Sequence, residues 1–156
     1  MRSMADTSTR AMSLNLAVEH APHADTIRAF KHGVDAYNFA AVGPDEYTPL
    51  WIIARDAAGH LQAGLHAQSY WRWMYVDWLW VAQEYRKYGI GSRLLKHAEE
   101  VASERDCVGV FVSSYTFQAP QFYVRHGYKE FGRLQDLPPG HARIWFSKPL
   151  GAKKRA

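Results

Sequence analysis

The sequence has one cysteine, Cys107, so no disulfide can close within the chain. Cys107 opens the apolar run CVGVFV, which suits a packed thiol; a reactive one needs electropositive, accessible surroundings. No apolar stretch is long enough to cross a membrane as a helix. The first residues, MRSMADTSTRAM, lack the apolar core of a secretion signal. Charge of one sign is also scarce: the net value is +4 over 156 residues. The basic residues are scattered apart from Lys153, Lys154 and Arg155, so no phosphate-neutralising face for nucleic acid is expected. The eight histidines show no His-x-x-x-His or Cys/His zinc spacing, and no metal is expected. His32 and His66 read as surface or satisfied core residues, while His141 falls in a late hairpin where an acceptor loop could lie. No internal repeat or low-complexity linker is present. These absences point to a cytoplasmic protein with no membrane partner.

What is there is a chain rich enough in apolar residues, 47%, to build one core. Residues 13–19 alternate and predict a first strand. Ile27, Phe30, Val34 and Tyr37 mark one face of a helix, broken at Gly43-Pro44. Leu50–Arg55 and Leu61–Tyr70 read as strands joined by a turn at Asp56–Gly59, followed by a strand over Tyr75–Val81. Leu94, Leu95, Ala98, Val101 and Ala102 stripe a second helix, and Cys107–Ser113 predicts a strand buried on both faces. A short helix over Ala119–Arg125 stops at Gly127, and a strand pair covers Lys129–Gln135 and Ala142–Phe146. The order β-α-βββ-α-β-α-ββ predicts an α/β (mixed α+β) fold, a mixed sheet with helices on its faces. Residues 13–150 are expected to form one domain, with 1–12 a flexible extension and 151–156 a basic, flexible tail.

The segment Arg86-Lys-Tyr-Gly89-Ile-Gly91-Ser92 sits between a strand and a helix. A helix start leaves its first N–H groups without intrahelical partners and carries partial positive charge. Glycine lets an anion approach those groups closely, and Arg86 and Ser92 can add donors. The nucleotide P-loop pattern is absent, and the dinucleotide pattern needs a third glycine. From spacing alone, a tight helix entry and an anion cradle both remain open.

Arg86-x-x-Gly89-x-Gly91 resembles the Gln/Arg-x-x-Gly-x-Gly/Ala signature of the GCN5-related N-acetyltransferase (GNAT) superfamily. The entering strand Leu79-Trp80-Val81 looks like that family's strand before its cradle. Ala119-Pro-Gln-Phe122-Tyr123-Val-Arg-His-Gly127-Tyr128 looks like its Ala-x-x-Leu/Phe-Tyr-x-x-x-Gly-Phe/Tyr segment. The resemblance covers about residues 13–150. It implies a mostly antiparallel central sheet and binding of acetyl-CoA as cosubstrate. The cofactor would lie on Leu79, Trp80, Val81, Arg86, Lys87, Tyr88, Gly89, Ile90, Gly91, Ser92 and Tyr123. It also implies that the strand before the cradle splays from the next core strand, Cys107–Ser113.

Acetyl transfer to an amine needs proton removal from the amine, a donor to the carbonyl oxygen and help for the departing thiolate. By resemblance, Tyr123 occupies the position that faces the CoA sulfur and is the candidate acid. A backbone N–H of Leu79–Val81 is the candidate oxyanion donor. Asp77, two residues before Leu79 and expected on its face, and Glu84 in the following turn are the candidate bases; a structural acid and a solvated turn residue are their plainer readings. Trp71 and Trp73 flank a turn and, with Tyr37 and Asn38, are the candidate acceptor wall; Trp78 and Trp80 read as sheet packing. The expected activity is direct acetyl transfer to a primary amine of a small molecule or exposed amino group. A non-catalytic CoA-binding module on the same fold is the alternative, and a structural interaction domain a third. Dimers are frequent among the proteins it resembles, so a homodimer stays open.

Overall fold

A computed structural model describes residues 14–151. The chain divides into two compact units at Gly43/Pro44. In the first, helix α1 spans Ala24–Val42. His23 accepts the Asp25 N–H through its side chain at 3.3 Å, and Gly43, at φ +80°, closes the helix onto the Phe39 carbonyl. The expected first strand does not form over residues 14–19. A strand exists by pairing, and the regular structure among the described residues of this unit is a helix.

The second unit carries a six-stranded sheet in the order β1-β2-β3-β4-β6-β5. Its strands are β1 (Thr48–Arg55), β2 (Leu61–Tyr70), β3 (Trp73–Val81), β4 (Gly109–Tyr115), β5 (Lys129–Gln135) and β6 (Ala142–Pro149). Helix α2 (Ile90–Glu104) links β3 to β4, and the short α3 (Pro120–Arg125) links β4 to β5. All pairings are antiparallel except β3 with β4, which the α2 crossover makes parallel. Burial alternates along β2, as the period of two requires. Leu65, Ala67, Met74, Val76, Val110, Val112 and Phe146 form one wall of the core, and Leu94, Leu95, Ala98 and Ala102 of α2 pack in the same cluster. β4 also alternates in burial, unlike the expected strand buried on both faces. Its second face is half-covered by aromatic rings, with Phe111 stacked on Tyr75 at 4.8 Å. Cys107 is buried and its thiol is pushed up by desolvation, which fits a packing role. Among the described residues, no helix is long and apolar enough to cross a membrane.

Candidate active site

The parallel pairing of β3 with β4 is short. It runs from Trp73 opposite Gly109 to Val76 opposite Val112 and then stops. Beyond it, Leu79, Trp80 and Val81 pair only with β2, while Ser113, Ser114 and Tyr115 pair only with β6. Each strand keeps its outer neighbour and loses its inner one. A wedge opens in mid-sheet, and alternate peptide groups of β3 turn toward it without a strand partner.

A one-residue bulge in β3 lies where the wedge begins. Val76 pairs with Ala67 and Trp78 with His66, leaving Asp77 as the extra residue. Bulges bend a strand and increase its twist, which gives a local cause for the parting. The bulge also breaks the period of two. Leu79 packs against the core, but Asp77 and Trp78 both turn to the opposite face, where each approaches His66. The expectation that Asp77 shares the face of Leu79 is therefore corrected.

The cradle follows directly. β3 ends at Val81, Gln83–Tyr85 make one 3-10 turn, and α2 begins at Ile90. Gly89 caps the helix in the left-handed region, φ +75°, and Lys87 also has positive φ, +69°. The first helical bond runs from Arg93 N–H to the Gly89 carbonyl at 3.1 Å. The amides of Gly89, Ile90, Gly91 and Ser92 thus lie at the open helix start, where the dipole adds positive character. Gly91 has negative φ, and a Cβ there would meet nothing closer than 3.6 Å, to Phe122. Neither backbone nor crowding requires glycine at 91, and what glycine supplies is close approach from outside. Arg86 is fixed by its Nε, which donates to the Val81 carbonyl at 3.0 Å, and Tyr88 is exposed beside it.

α3 completes the site. Phe122 faces Gly91, and Tyr123 is 8% exposed, packed edge-on to Tyr128 and near-parallel to Phe146. Burial, with a smaller contribution from Tyr75, pushes the Tyr123 phenol up to about 12. It stays protonated at neutral pH and is a donor. His126 was missed by sequence reasoning. Its Nδ1 lies 2.7 Å from the Phe122 carbonyl and its Nε2 2.9 Å from Ser92 Oγ. A carbonyl only accepts, so Nδ1 carries a proton; in the neutral ring Nε2 then accepts the Ser92 proton. Ser92 therefore offers an incoming anion its amide rather than its hydroxyl. The His126-Gly127 pair was visible in the sequence only as a helix stop.

The structure does not gather every candidate. Glu84 lies exposed in the 3-10 turn. Trp73 opens β3 at its opposite end, six residues from Leu79 or about 20 Å of strand, and Trp71 lies in the turn before it. Trp73 covers Gly109, where a Cβ would come within 2.4 Å of its ring. Tyr37 and Asn38 belong to α1 of the first unit. Trp80 is 47% exposed beside the wedge. Among the described residues, no group of three or more His, Cys, Asp or Glu could hold a metal ion.

Residues 46–130 match the family model of the acetyltransferase (GNAT) domain. Blasticidin-S acetyltransferase of Streptomyces morookaense is 42% identical over 99 residues, 61% of this chain and 73% of that protein. Acetyltransferase Atu2258 of Agrobacterium fabrum (strain C58 / ATCC 33970) is 30% identical over 135 residues, 86% of this chain and 98% of that one. The crystal structure of an acetyltransferase from Bacillus cereus ATCC 14579 superposes with a TM-score of 0.80 at 29% identity, covering 86% of this chain and 98% of that one. The chain belongs to the GNAT acetyltransferase family and is an enzyme of the acyl-transfer class.

Proposed function

We propose that this enzyme moves an acetyl group from acetyl-CoA to a primary amine of a small molecule, by direct attack within a ternary complex. The observation that carries the reading is the succession of a wedge in mid-sheet, a bulge, and a glycine-lined helix start within residues 77–92. The residues present fit the cofactor. Arg86 and the amides from Gly89 to Ser92 would hold its pyrophosphate, with Lys87 and Tyr88 beside them and Ile90 closing the base of the turn. The peptide edge of Leu79, Trp80 and Val81 would hold its extended arm. Acetyl-CoA supplies an acetyl group activated as a thioester. A β3 amide left without a strand partner in the wedge would donate to the carbonyl oxygen, where negative charge develops. The Tyr123 hydroxyl, protonated well beyond neutral pH, could donate to the departing sulfur. The named relative acting on blasticidin S supports a small-molecule acceptor. Residues 13–150 are read as one acetyltransferase domain, supported by the Agrobacterium relative spanning 86% of this chain.

The test is thermal unfolding with and without acetyl-CoA, followed by release of free thiol across a panel of amines that includes blasticidin S. Acetyl-CoA raises the melting temperature of the wild type, and Gly89→Glu abolishes the rise. An unchanged melting temperature in the wild type refutes the reading.

A further inference from the structure

On the sheet face opposite α2, the ring of His66 packs against two tryptophans that also meet each other, with centroids 5.8 Å apart. Its centroid is 4.1 Å from that of Trp51 on β1 and 5.0 Å from that of Trp78 on β3. His66 stands directly across from Trp78 in the β2–β3 ladder, beside the point where the wedge opens. Its Nδ1 is the one buried side-chain nitrogen or oxygen without a hydrogen bond among the described residues. Asp77 Oδ2 sits 3.6 Å from it, just beyond hydrogen-bond length, with the side chains 12% and 32% exposed. Nε2 makes no hydrogen bond among the described residues, and the side chain is not fully closed off. Buried polar atoms are nearly always paired, so an orphan beside a carboxylate asks for an explanation. A histidine kept only for packing would offer its nitrogen a partner, as His126 does.

We propose that His66 is the catalytic base for the acceptor amine, with Asp77 as its positioning residue and the exposed surfaces of Trp51 and Trp78 as an aromatic patch beside it that receives the acceptor. This rests on the acetyl-transfer reading above. A carboxylate on the Nδ1 side favours the tautomer with the proton there, which leaves the lone pair on Nε2. The ring pair suits an amine carried on a flat or cationic body, since indole faces attract both. The proton balance is complete. The ammonium gives one proton to Nε2. The freed nitrogen lone pair forms the N–C bond as the C–S bond breaks. The second nitrogen proton reaches the thiolate through the Tyr123 hydroxyl, which donates its own and takes one back. His66 then returns its proton to solvent. A cofactor held at the α2 start would approach the wedge from the α2 face, and the amine from the other. Among the described residues, β1 brings Trp51 against the ring and β3 brings Trp78 and Asp77; Tyr70 and Tyr75 lie farther along the same face.

The test compares wild type, His66→Gln and Asp77→Asn. Blasticidin S is the first acceptor, or else whichever panel amine releases thiol. His66→Gln lowers kcat on the order of a hundredfold, removes the acidic limb of the kcat–pH profile and leaves KM for acetyl-CoA within about twofold. Asp77→Asn lowers kcat less, with the same KM. Circular dichroism and melting confirm that both variants fold. In parallel, the His66 imidazole signals of wild type, assigned by their loss in His66→Gln, shift when the amine is added without cofactor. A His66→Gln enzyme with near-wild-type kcat and an unchanged acidic limb overturns the proposal while leaving acetyl transfer standing. If no amine releases thiol, acetyl transfer fails instead, and the imidazole signals decide the subsite: signals unmoved by every amine overturn it, and signals that move support it.

Discussion

Gly91→Ala separates ligand approach from folding, because the two pull in opposite directions at this residue. In the free protein a Cβ at 91 meets Phe122 at 3.6 Å and Leu79 at 3.7 Å, ordinary contact distances. Its φ is negative and it lies in the first turn of α2. Alanine there removes backbone freedom from the unfolded chain and stabilises the free enzyme by up to about 1 kcal/mol. For a chain of this size that raises the melting temperature by roughly 2–4 °C. At a concentration one hundred times Kd, acetyl-CoA stabilises the wild type by about 2.7 kcal/mol. A methyl group in the cradle pushes the anion off the helix amides, and a tenfold loss of affinity cuts the ligand term at the same concentration to about 1.4 kcal/mol. Differential scanning fluorimetry over an acetyl-CoA titration reads both quantities. The variant melts higher than wild type alone and gains about half as much from ligand. An undiminished ligand shift, with Kd unchanged by calorimetry, refutes the assignment of Gly91 to the cofactor. A lower melting point without ligand refutes the claim that the site is empty of internal crowding.

Tyr123→Phe lowers kcat with little change in KM for acetyl-CoA, measured by thiol release. Its folded phenol stands at about 12 against 10 unfolded, so stability is full below pH 10 and is lost as pH rises toward 12; alkaline unfolding of the variant, followed by circular dichroism, is correspondingly shallower over that window. Glu99→Ala costs about 1–3 kcal/mol in urea unfolding, because Tyr128, a residue 2% exposed, loses the acceptor of its hydroxyl at 3.0 Å and Lys148 its partner at 2.7 Å. His126→Ala frees the Ser92 hydroxyl and loosens Phe122 over the helix start; isothermal titration shows weaker CoA binding, with no loss of the fold.

The elements of the second unit were readable because each has a strong local cause. The α2 stripe, the Asp56 hairpin and the Gly127 stop are written in consecutive residues, and the observed boundaries fall within a few positions of those expected. The glycine-lined helix start was readable for the same reason: its glycines are neighbours. The proposed acceptor side was not. His66 and Trp51 come from separate strands, and only the β1–β2 register, with Trp51 opposite His66, brings them together. Trp71 and Trp73 drew notice by clustering in sequence, yet strand direction carries them to the far end of β3. Residues 14–19 alternate as a strand does, but alternation states a face and supplies no partner.

The bulge at Asp77 is the least readable feature and the most consequential, and its role can be isolated. Alternation along β3 is regular on both sides of it: Val76 faces the core, Trp78 the opposite face and Leu79 the core again. Deleting Asp77 therefore yields an unbroken ladder with Val76 opposite Ala67, Trp78 opposite His66 and Leu79 opposite Leu65, the pairs already present. No core side chain changes face, so the deletion variant folds with a stability within about 1 kcal/mol of wild type, read by urea unfolding. What it loses is the local bend, and with it the cause of the parting from β4. Acetyl transfer falls far below that of Asp77→Ala, which removes the same carboxylate but keeps the extra residue. Equal activity in the two variants would show that the wedge is held open by something other than the bulge. A deletion variant that fails to fold would show that the β2–β3 ladder depends on the bulge, contrary to the register.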